Sequence, residues 1–300
     1  NESIGRGVCW AVKALTHNHH RNKEEFRAYG ICAPTLVVLR GFRYSKNATQ
    51  TVQGAAAAIA NLCQDNLGNK AAMGKAGACE GLLEVMELHY RNIEVAYLTA
   101  KALFHVCDGN HENRLKISFS GAADILMNMA TRYADEERIL DYVYCVMIGM
   151  CLGKVGQSRL GTVGVGKVVV SAMYRYEKSS EYLILLCCAL INGLAANSNE
   201  NQIKLGSAGA CKAIASIAIR YARSTTFNMV NMKMLQNDLS PSPSTGAANT
   251  DHDREVNLQL PHSVEVVAAG GGADLHNFQA LGVLCWRDGS GVIWVIEKVV

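Results

Sequence analysis

The stretch NKAAMGKAG (residues 69–77) sets the pattern of the chain, because three related stretches repeat its layout. These are NKEEFRAYG (22–30), NRLKISFSG (113–121) and NQIKLGSAG (201–209). Each begins with asparagine, carries an apolar side chain four residues later and ends in glycine eight residues after the asparagine. A fifth stretch, GQSRLGTVG (156–164), fits the same frame with Gly156 in the asparagine place. The chain therefore contains an internal repeat.

The closing glycines give the length of the repeat. They recur every 43 to 47 residues, at Gly30, Gly77, Gly121, Gly164 and Gly209. An asparagine at the start of a short segment can cap a helix by accepting a backbone N–H. A glycine at its end can adopt the left-handed turn that terminates a helix. Each nine-residue stretch thus predicts a short first helix, capped by the asparagine and closed by the glycine.

Two further helices are predicted in each repeat. The second carries apolar residues six and nine positions after the glycine, at Leu36/Leu39, Leu83/Met86, Met127/Ala130, Val170/Met173 and Ala215/Ala218. The third carries ANLC (60–63) in one repeat and FHVC (104–107) in the next. Mainly small residues stand where neighbouring third helices would approach closely, at Ala58, Ala102, Val146, Ala189 and Met234. The pattern predicts an all-α fold with three helices in roughly 44 residues.

Two pieces of the chain carry a family resemblance, AIANLCQDNLGNKAAMGKAGACEGLLEVM (58–86) and CALINGLAANSNENQIKLGSAGACKAIASI (188–217). They resemble the armadillo repeat pattern of A-L-x-N-L, a loop, N-x8-G-A and L-L. The resemblance implies a right-handed α-solenoid of about five to six three-helix repeats. HEAT repeats, a related two-helix solenoid, are the structural alternative.

The chain is expected to divide into three parts. Residues 1–238 form the repeat array, whose first repeat is partial because CWAVKAL (9–15) is similar to a third helix alone. Residues 239–257 are rich in proline, serine and threonine and are expected to form a flexible insert. Residues 258–300 are expected to form a degenerate sixth repeat, since FQALGVLC (278–285) is similar to AKALFHVC (100–107), or else a disordered tail.

The resemblance also implies a peptide-binding groove lined by the third helices. In the family, a row of asparagines bonds the main chain of an extended peptide, and tryptophans four positions earlier hold its side chains. Asn61, Asn192 and Asn237 match the asparagine position, and Trp10 matches the tryptophan position. His105 and Gly149 stand in the asparagine place of the middle repeats, and Lys101 and Lys233 are among the residues in the tryptophan place.

The predicted groove set adds Asp141, which lies eight residues before Gly149. It comprises Trp10, Asn61, Lys101, His105, Asp141, Asn192, Lys233 and Asn237. An asparagine amide offers both a donor and an acceptor, which suits a peptide backbone. In the alternative interpretation these asparagines bond within the array or cap helix ends. The interrupted row argues against an importin-α-like receptor for standard nuclear localisation signals.

Two other motifs resemble chemical sites. RLGTVGVGKVVV (159–170) contains most of a phosphate-binding loop, but Val168 replaces the Ser or Thr that would bind magnesium, and the repeat already accounts for Gly164. THNHHRN (16–22) clusters three histidines without further ligands at a spacing that suits zinc. We expect no nucleotide, metal or cofactor site, and no catalytic residues.

The composition narrows the class of protein. The net charge is only +3, so nucleic acid is not the expected partner. Eleven cysteines without a C-x-x-C pair suit free thiols in the cytoplasm or the nucleus. The longest apolar run is too short for membrane insertion. We therefore expect a scaffold or adaptor that captures a protein or peptide ligand and has no small-molecule substrate. A transport carrier and a structural spacer in a larger protein are the alternatives.

Overall fold

The computed structural model describes residues 1–45, 49–222, 283–288 and 291–296. Two units are separable, Asn1–Ile214 and Ala215–Val300. The described helices follow one another in the order α1 (Glu2–Thr16), α2 (His20–Ala28), α3 (Cys32–Gly41), α4 (Thr49–Cys63), α5 (Leu67–Lys75), α6 (Ala78–Leu88), α7 (Ile93–Cys107), α8 (His111–Phe119), α9 (Ala122–Arg132), α10 (Glu137–Cys151), α11 (Lys154–Thr162), α12 (Val165–Tyr176), α13 (Glu181–Ala195), α14 (Asn199–Ser207) and α15 (Ala210–Ala222).

The described helices form a solenoid of three-helix repeats, as the sequence predicts. The first helix of each repeat has nine residues (α2, α5, α8, α11, α14), the second has 10 to 13 (α3, α6, α9, α12, α15), and the third has 15 (α1, α4, α7, α10, α13). Third helices of successive repeats pack on one another, and each first helix packs on that of the next repeat. Three helices in a repeat distinguish this array from a two-helix HEAT solenoid.

Small residues allow the third helices to approach closely. Ala58 and Ala102 are fully buried, and Val146 and Ala189 are buried at the equivalent places. The predicted apolar pairs of the second helices are buried in α3, α6 and α12. In α9 the predicted Ala130 is buried, but Met127 is only half-buried, and Leu126 and Met129 fill the core. In α15 the prediction is wrong, because Ala215 and Ala218 are exposed and Ala213 and Ile217 are buried in their place.

The repeat asparagine does not cap its helix, which corrects the prediction from sequence. The capping side chain lies three residues earlier, as in Asn66 and Asn110. The repeat asparagine is the third residue of the first helix, and its amide joins two repeats. Asn113 Nδ2 donates to Lys70 O at 2.9 Å in the preceding repeat and to Val106 O at 2.8 Å at the end of α7. Asn69 and Asn201 make the equivalent bonds, at 2.8 to 3.4 Å.

The turn glycines behave as predicted in four repeats of five. Gly30, Gly77, Gly164 and Gly209 have φ between 71° and 90°, the left-handed region in which a side chain is strained. Gly121 has φ −74°, so its turn does not require glycine.

A further device, not predicted, closes the C-terminal ends of third helices. The residue that follows the repeat asparagine, or its counterpart, reaches the third helix of its own repeat. Lys23 Nζ donates to Gln64 O at 2.7 Å, and Lys70 Nζ pairs with Asp108 Oδ2 at 2.8 Å in a buried ion pair. Gln157 Nε2 donates to three carbonyls around the end of α13. Lys23 and Gln157 thus satisfy free carbonyls at the helix end, and the positive charges of Lys23 and Lys70 also favour the negative end of the helix dipole.

The second unit contains an antiparallel hairpin of β1 (Val283–Asp288) and β2 (Gly291–Ile296), with Val283 opposite Ile296. Valine, isoleucine and tryptophan favour extended chain, so the helix expected at 278–285 is wrong for its last three residues. The insert at 239–257, the rest of 258–300, Lys233 and Asn237 lie outside the described residues.

Candidate functional site

The solvent side of α1, α4, α7, α10 and α13 is called here the third-helix face. These helices lie side by side in this order, because each packs on the next. The described members of the predicted groove set all belong to these helices, and two of them, Asn61 and His105, are buried beneath the face; the set is Trp10, Asn61, Lys101, His105, Asp141 and Asn192.

The two described asparagines of the predicted row differ in their availability. Asn61 on α4 is buried, and its Nδ2 donates to Lys13 O on α1 at 2.9 Å. This bond is of the kind expected if the asparagines join repeats. Asn192 on α13 is exposed and makes no side-chain hydrogen bond to the described residues. Its amide can therefore bond a ligand backbone.

Trp10 lies at one end of the face and leans over α4. Its indole ring covers Gly54, where an added Cβ would lie 3.1 Å from Trp10 Nε1. Lys13 Nζ stands 4.4 Å from the centroid of the same ring. Trp10 as a whole is 37% exposed, so part of its side chain is accessible to a ligand.

His105 stands in the predicted asparagine place on α7. It is only 5% exposed, and its Nδ1 has no hydrogen-bond partner. Burial, together with the positive charge of Lys101, lowers the pKa of His105 to about 3. The imidazole is therefore neutral at physiological pH and retains an unused polar atom beside the face.

Lys101 lies one helical turn before His105 and is half-buried. Its Nζ is 6.0 Å from the centroid of the Tyr142 ring, and it has no ion-pair partner among the described residues. Burial lowers the pKa of Lys101, and the charge of Lys13 contributes to the same shift. Two like charges therefore act on each other from α1 and α7, on the two sides of α4.

Asp141 on α10 gives the face a carboxyl group. Burial raises the pKa of Asp141 to about 7, and the nearby Glu137 adds to this effect. Its Oδ1 is buried and has no hydrogen-bond partner. Gly149 leaves a gap on the same helix that Arg114 approaches, since an added Cβ would lie 3.4 Å from Arg114 Cδ.

Three aromatic side chains between these polar groups were missed from the sequence. Tyr142 is half-buried, and its ring centroid lies 5.8 Å from those of both Tyr97 and Phe104. Tyr97 and Phe104 flank Lys101 at helical spacing, which is the sequence signal that they share its side of α7. The middle of the face is thus an aromatic patch in place of an asparagine and tryptophan row.

The two motifs that resemble chemical sites have structural roles. Gly161 is needed because an added Cβ would lie 2.6 Å from Asn201 Cγ, and Gly166 because one would lie 2.8 Å from Leu205 Cδ2. Gly164 forms the left-handed cap of α12. In the histidine cluster, His19 Nδ1 accepts the N–H of Asn22 at 3.2 Å and so caps α2. Within the described ranges no group of three or more metal-binding side chains occurs.

Known proteins resemble this chain in structure and not in overall sequence. No family model and no curated protein matches it. Among 73 matching chains of solved structure, the designed armadillo repeat protein YIII(Dq)4CqI has a TM-score of 0.61 and 20% identity, covering 73% of this chain and 86% of that one.

Two further structures concern peptide recognition. The designed armadillo repeat protein YIII(Dq.V1)4CPAF, in complex with peptide (KR)4, has a TM-score of 0.60 and 19% identity over 73% of this chain and 85% of that one. Computationally designed armadillo repeat proteins for modular peptide recognition match with a TM-score of 0.60 and 21% identity over 70% and 84%. The fold is therefore that of armadillo repeat proteins. None of the described helices is both long and apolar enough to cross a membrane.

Proposed function

From this armadillo repeat fold, we propose that the chain is a peptide-binding scaffold or adaptor whose ligand lies along the third-helix face. The observation that carries the proposal is the set of unused polar atoms on the third helices, which lie beside the half-buried rings of Tyr97, Phe104 and Tyr142. His105 Nδ1 and Asp141 Oδ1 are buried without partners, and the exposed Asn192 adds a free amide. A buried polar atom without a partner costs about 1 to 3 kcal/mol. A peptide that bonds these atoms would remove this cost, whereas a structural spacer would gain nothing from keeping them.

Peptide selection with the full chain tests this proposal. A library of displayed twelve-residue peptides is selected on the protein, and the enriched peptides are measured by fluorescence polarisation. Asn192→Ala and Tyr142→Ala should weaken these peptides about tenfold or more, the size expected for a lost hydrogen bond or aromatic contact.

Tyr174→Ala is the matched control. Tyr174 is an exposed tyrosine on α12, away from the third-helix face. Circular dichroism would establish that each variant is folded. If no peptide is enriched, or if Tyr174→Ala weakens binding as much as Tyr142→Ala, the proposal is wrong and a spacer role becomes the better interpretation.

We also propose a reducing compartment, the cytoplasm or the nucleus. All ten cysteines in the described part of the chain are free thiols, and most of them are buried. Burial raises the pKa of Cys145 and Cys151 to about 12, which keeps these thiols protonated and unreactive. Microscopy and fractionation of a tagged full chain would test the compartment, and retention in the secretory pathway would contradict it.

A further inference from the structure

The third-helix face changes the sign of its charge along the array. Lys13 on α1 and Lys101 on α7 stand on the two sides of α4, and neither has an ion-pair partner among the described residues. Asp141, with Glu137 one turn earlier, stands further along on α10. Arg138 is neutralised by Glu94, so it does not offset these carboxyl groups. The face is positive around α4, whereas α10 carries Glu137 and an Asp141 that is partly ionised at neutral pH.

Helix α4 provides a low floor between the two lysines. Its side chains there are small or already hydrogen-bonded. Gly54 lies under Trp10, Ala57 has no polar group, and Asn61 donates to Lys13 O. These residues of α4 offer a ligand no free polar group, which leaves the ammonium groups of Lys13 and Lys101 on either side to bind a ligand side chain that crosses α4.

His105 provides independent evidence for a ligand at this place. It is more than nine-tenths buried, its Nδ1 is unpaired, and it follows Lys101 by one helical turn. The lysines around it act against a second positive charge, so the ring stays neutral. A neutral imidazole can donate one N–H to an anion. Each lysine also lies near an aromatic ring, Lys13 at 4.4 Å from the centroid of Trp10 and Lys101 at 6.0 Å from that of Tyr142.

We propose that the part of the third-helix face between Lys13 and Lys101 binds a glutamate or aspartate side chain of a partner protein's extended segment, with His105 as its third polar contact. This inference rests on the proposed peptide-binding function and names the partner as an acidic segment. At α10 the exposed Glu137 and the partly ionised Asp141 disfavour a continuous acidic run. The ligand therefore carries its acidic residues over α4 and neutral or basic residues over α10, which fixes the position of its acidic residues along the array.

Binding of defined peptides to the full chain tests the charge preference. Dye-labelled (Glu-Ser)5, (Gln-Ser)5 and (Lys-Ser)5 are compared by fluorescence polarisation at low salt, with a phosphoserine peptide as a fourth probe. We expect (Glu-Ser)5 to bind at least tenfold more tightly than the other two unmodified peptides. Each of Lys13→Gln and Lys101→Gln should weaken it about tenfold, as expected for a hydrogen bond to a charged group. Lys101→Glu should shift the preference towards (Lys-Ser)5.

Lys167→Gln is the matched control, because Lys167 is an exposed lysine on α12, off the third-helix face. It removes the same charge and should leave binding unchanged. The inference is overturned if (Gln-Ser)5 or (Lys-Ser)5 binds as tightly as (Glu-Ser)5. It is also overturned if Lys167→Gln weakens (Glu-Ser)5 binding as much as Lys13→Gln or Lys101→Gln does. A phosphoserine peptide that binds when (Glu-Ser)5 does not would overturn the assignment to carboxylate side chains.

The imidazole signal of His105 gives a second, independent measurement by NMR. It should shift when (Glu-Ser)5 is added to the wild type and should stay in place with (Lys-Ser)5. Tight binding of (Glu-Ser)5 without this shift would remove His105 from the site. If library peptides bind the face but carry no acidic residue, the proposed function stands and this inference fails. If no peptide binds at all, both fail.

Discussion

Gly74 and Asn113 form a joint between two repeats, and the structure predicts whether a substitution at either residue raises or lowers the free energy of unfolding. The Asn113 side chain is 1% exposed and packs directly on the Cα of Gly74. A Cβ at residue 74 would overlap Asn113 Oδ1 and lie 2.6 Å from its Cγ. Gly74→Ala must therefore displace the amide that bonds Lys70 O and Val106 O.

The magnitude follows from two opposing effects. Losing two buried hydrogen bonds costs about 2 to 3 kcal/mol. Alanine in place of glycine within a helix contributes about 1 kcal/mol in the favourable direction. Gly74→Ala should thus lower the free energy of unfolding by about 1 to 2 kcal/mol, and Asn113→Ala by about 2 to 3 kcal/mol. In the Asn113→Ala background the overlap is gone, so Gly74→Ala should then stabilise the protein by about 1 kcal/mol.

Urea unfolding of the four proteins, followed by far-UV circular dichroism, measures this cycle. Gly206→Ala is the control, since Gly206 occupies the same place in α14 and a Cβ there would meet nothing within 4 Å. It should stabilise the protein by up to about 1 kcal/mol. The reasoning is refuted if Gly74→Ala destabilises the protein equally in the presence and absence of the Asn113 amide.

Three further predictions follow from single residues. Gly164→Ala, at φ 83°, should lower the free energy of unfolding by about 1 to 2 kcal/mol in urea, whereas Gly121→Ala, at φ −74° and in open space, should change it little. Lys70→Ala should lower it by about 3 to 5 kcal/mol, because Asp108 is left buried without its partner, and Lys70→Ala combined with Asp108→Ala should recover part of the loss. Asp141 has its pKa raised to about 7, so the folded protein binds a proton that the unfolded chain releases near pH 4, and stability should fall by about 2 to 4 kcal/mol as pH rises from 4 to 7. Asp141→Asn should abolish this fall in unfolding curves recorded across that range, and an unchanged profile would contradict the assignment.

The repeat and its helices were predictable because their signals are local. An asparagine, an apolar residue and a glycine at fixed offsets define each first helix, and five copies in register make the period unambiguous. The prediction assigned the cap to the wrong residue. The repeat asparagine is the third residue of the helix, so its backbone N–H is capped by the side chain three residues earlier, and its own side chain does not cap the helix. Sequence order does not show that its amide reaches Lys70 O in another repeat.

The candidate site was predicted less well, because it depends on contacts between repeats. Asn61 and Asn192 stand in the same place of the pattern, yet one bonds Lys13 O and the other is exposed. Which occurs is decided by the neighbouring third helix. The closeness of Tyr142 to Tyr97 and Phe104, 45 and 38 residues away, likewise follows from the packing of α7 on α10. The hairpin strands were missed because the prediction followed the similarity of residues 278–285 to the helical segment 100–107, although valine and isoleucine in the hairpin favour strands.

The joints between first helices also determine the order of the repeats. Gly74 faces Asn113 and Gly161 faces Asn201, while Ser118 faces Gly156, where a Cβ would lie 2.7 Å from Ser118 Oγ. Each repeat thus presents one shape to its predecessor and another to its successor, so the units are not interchangeable. Removing α11 to α13 would place an asparagine against a serine, and removing α8 to α10 would leave glycine against glycine with a void between them. In either case one residue at the new junction, Ser118 or one of the two glycines, would have to change before a glycine faced an asparagine again, so a repeat cannot be gained or lost without a compensating substitution beside it.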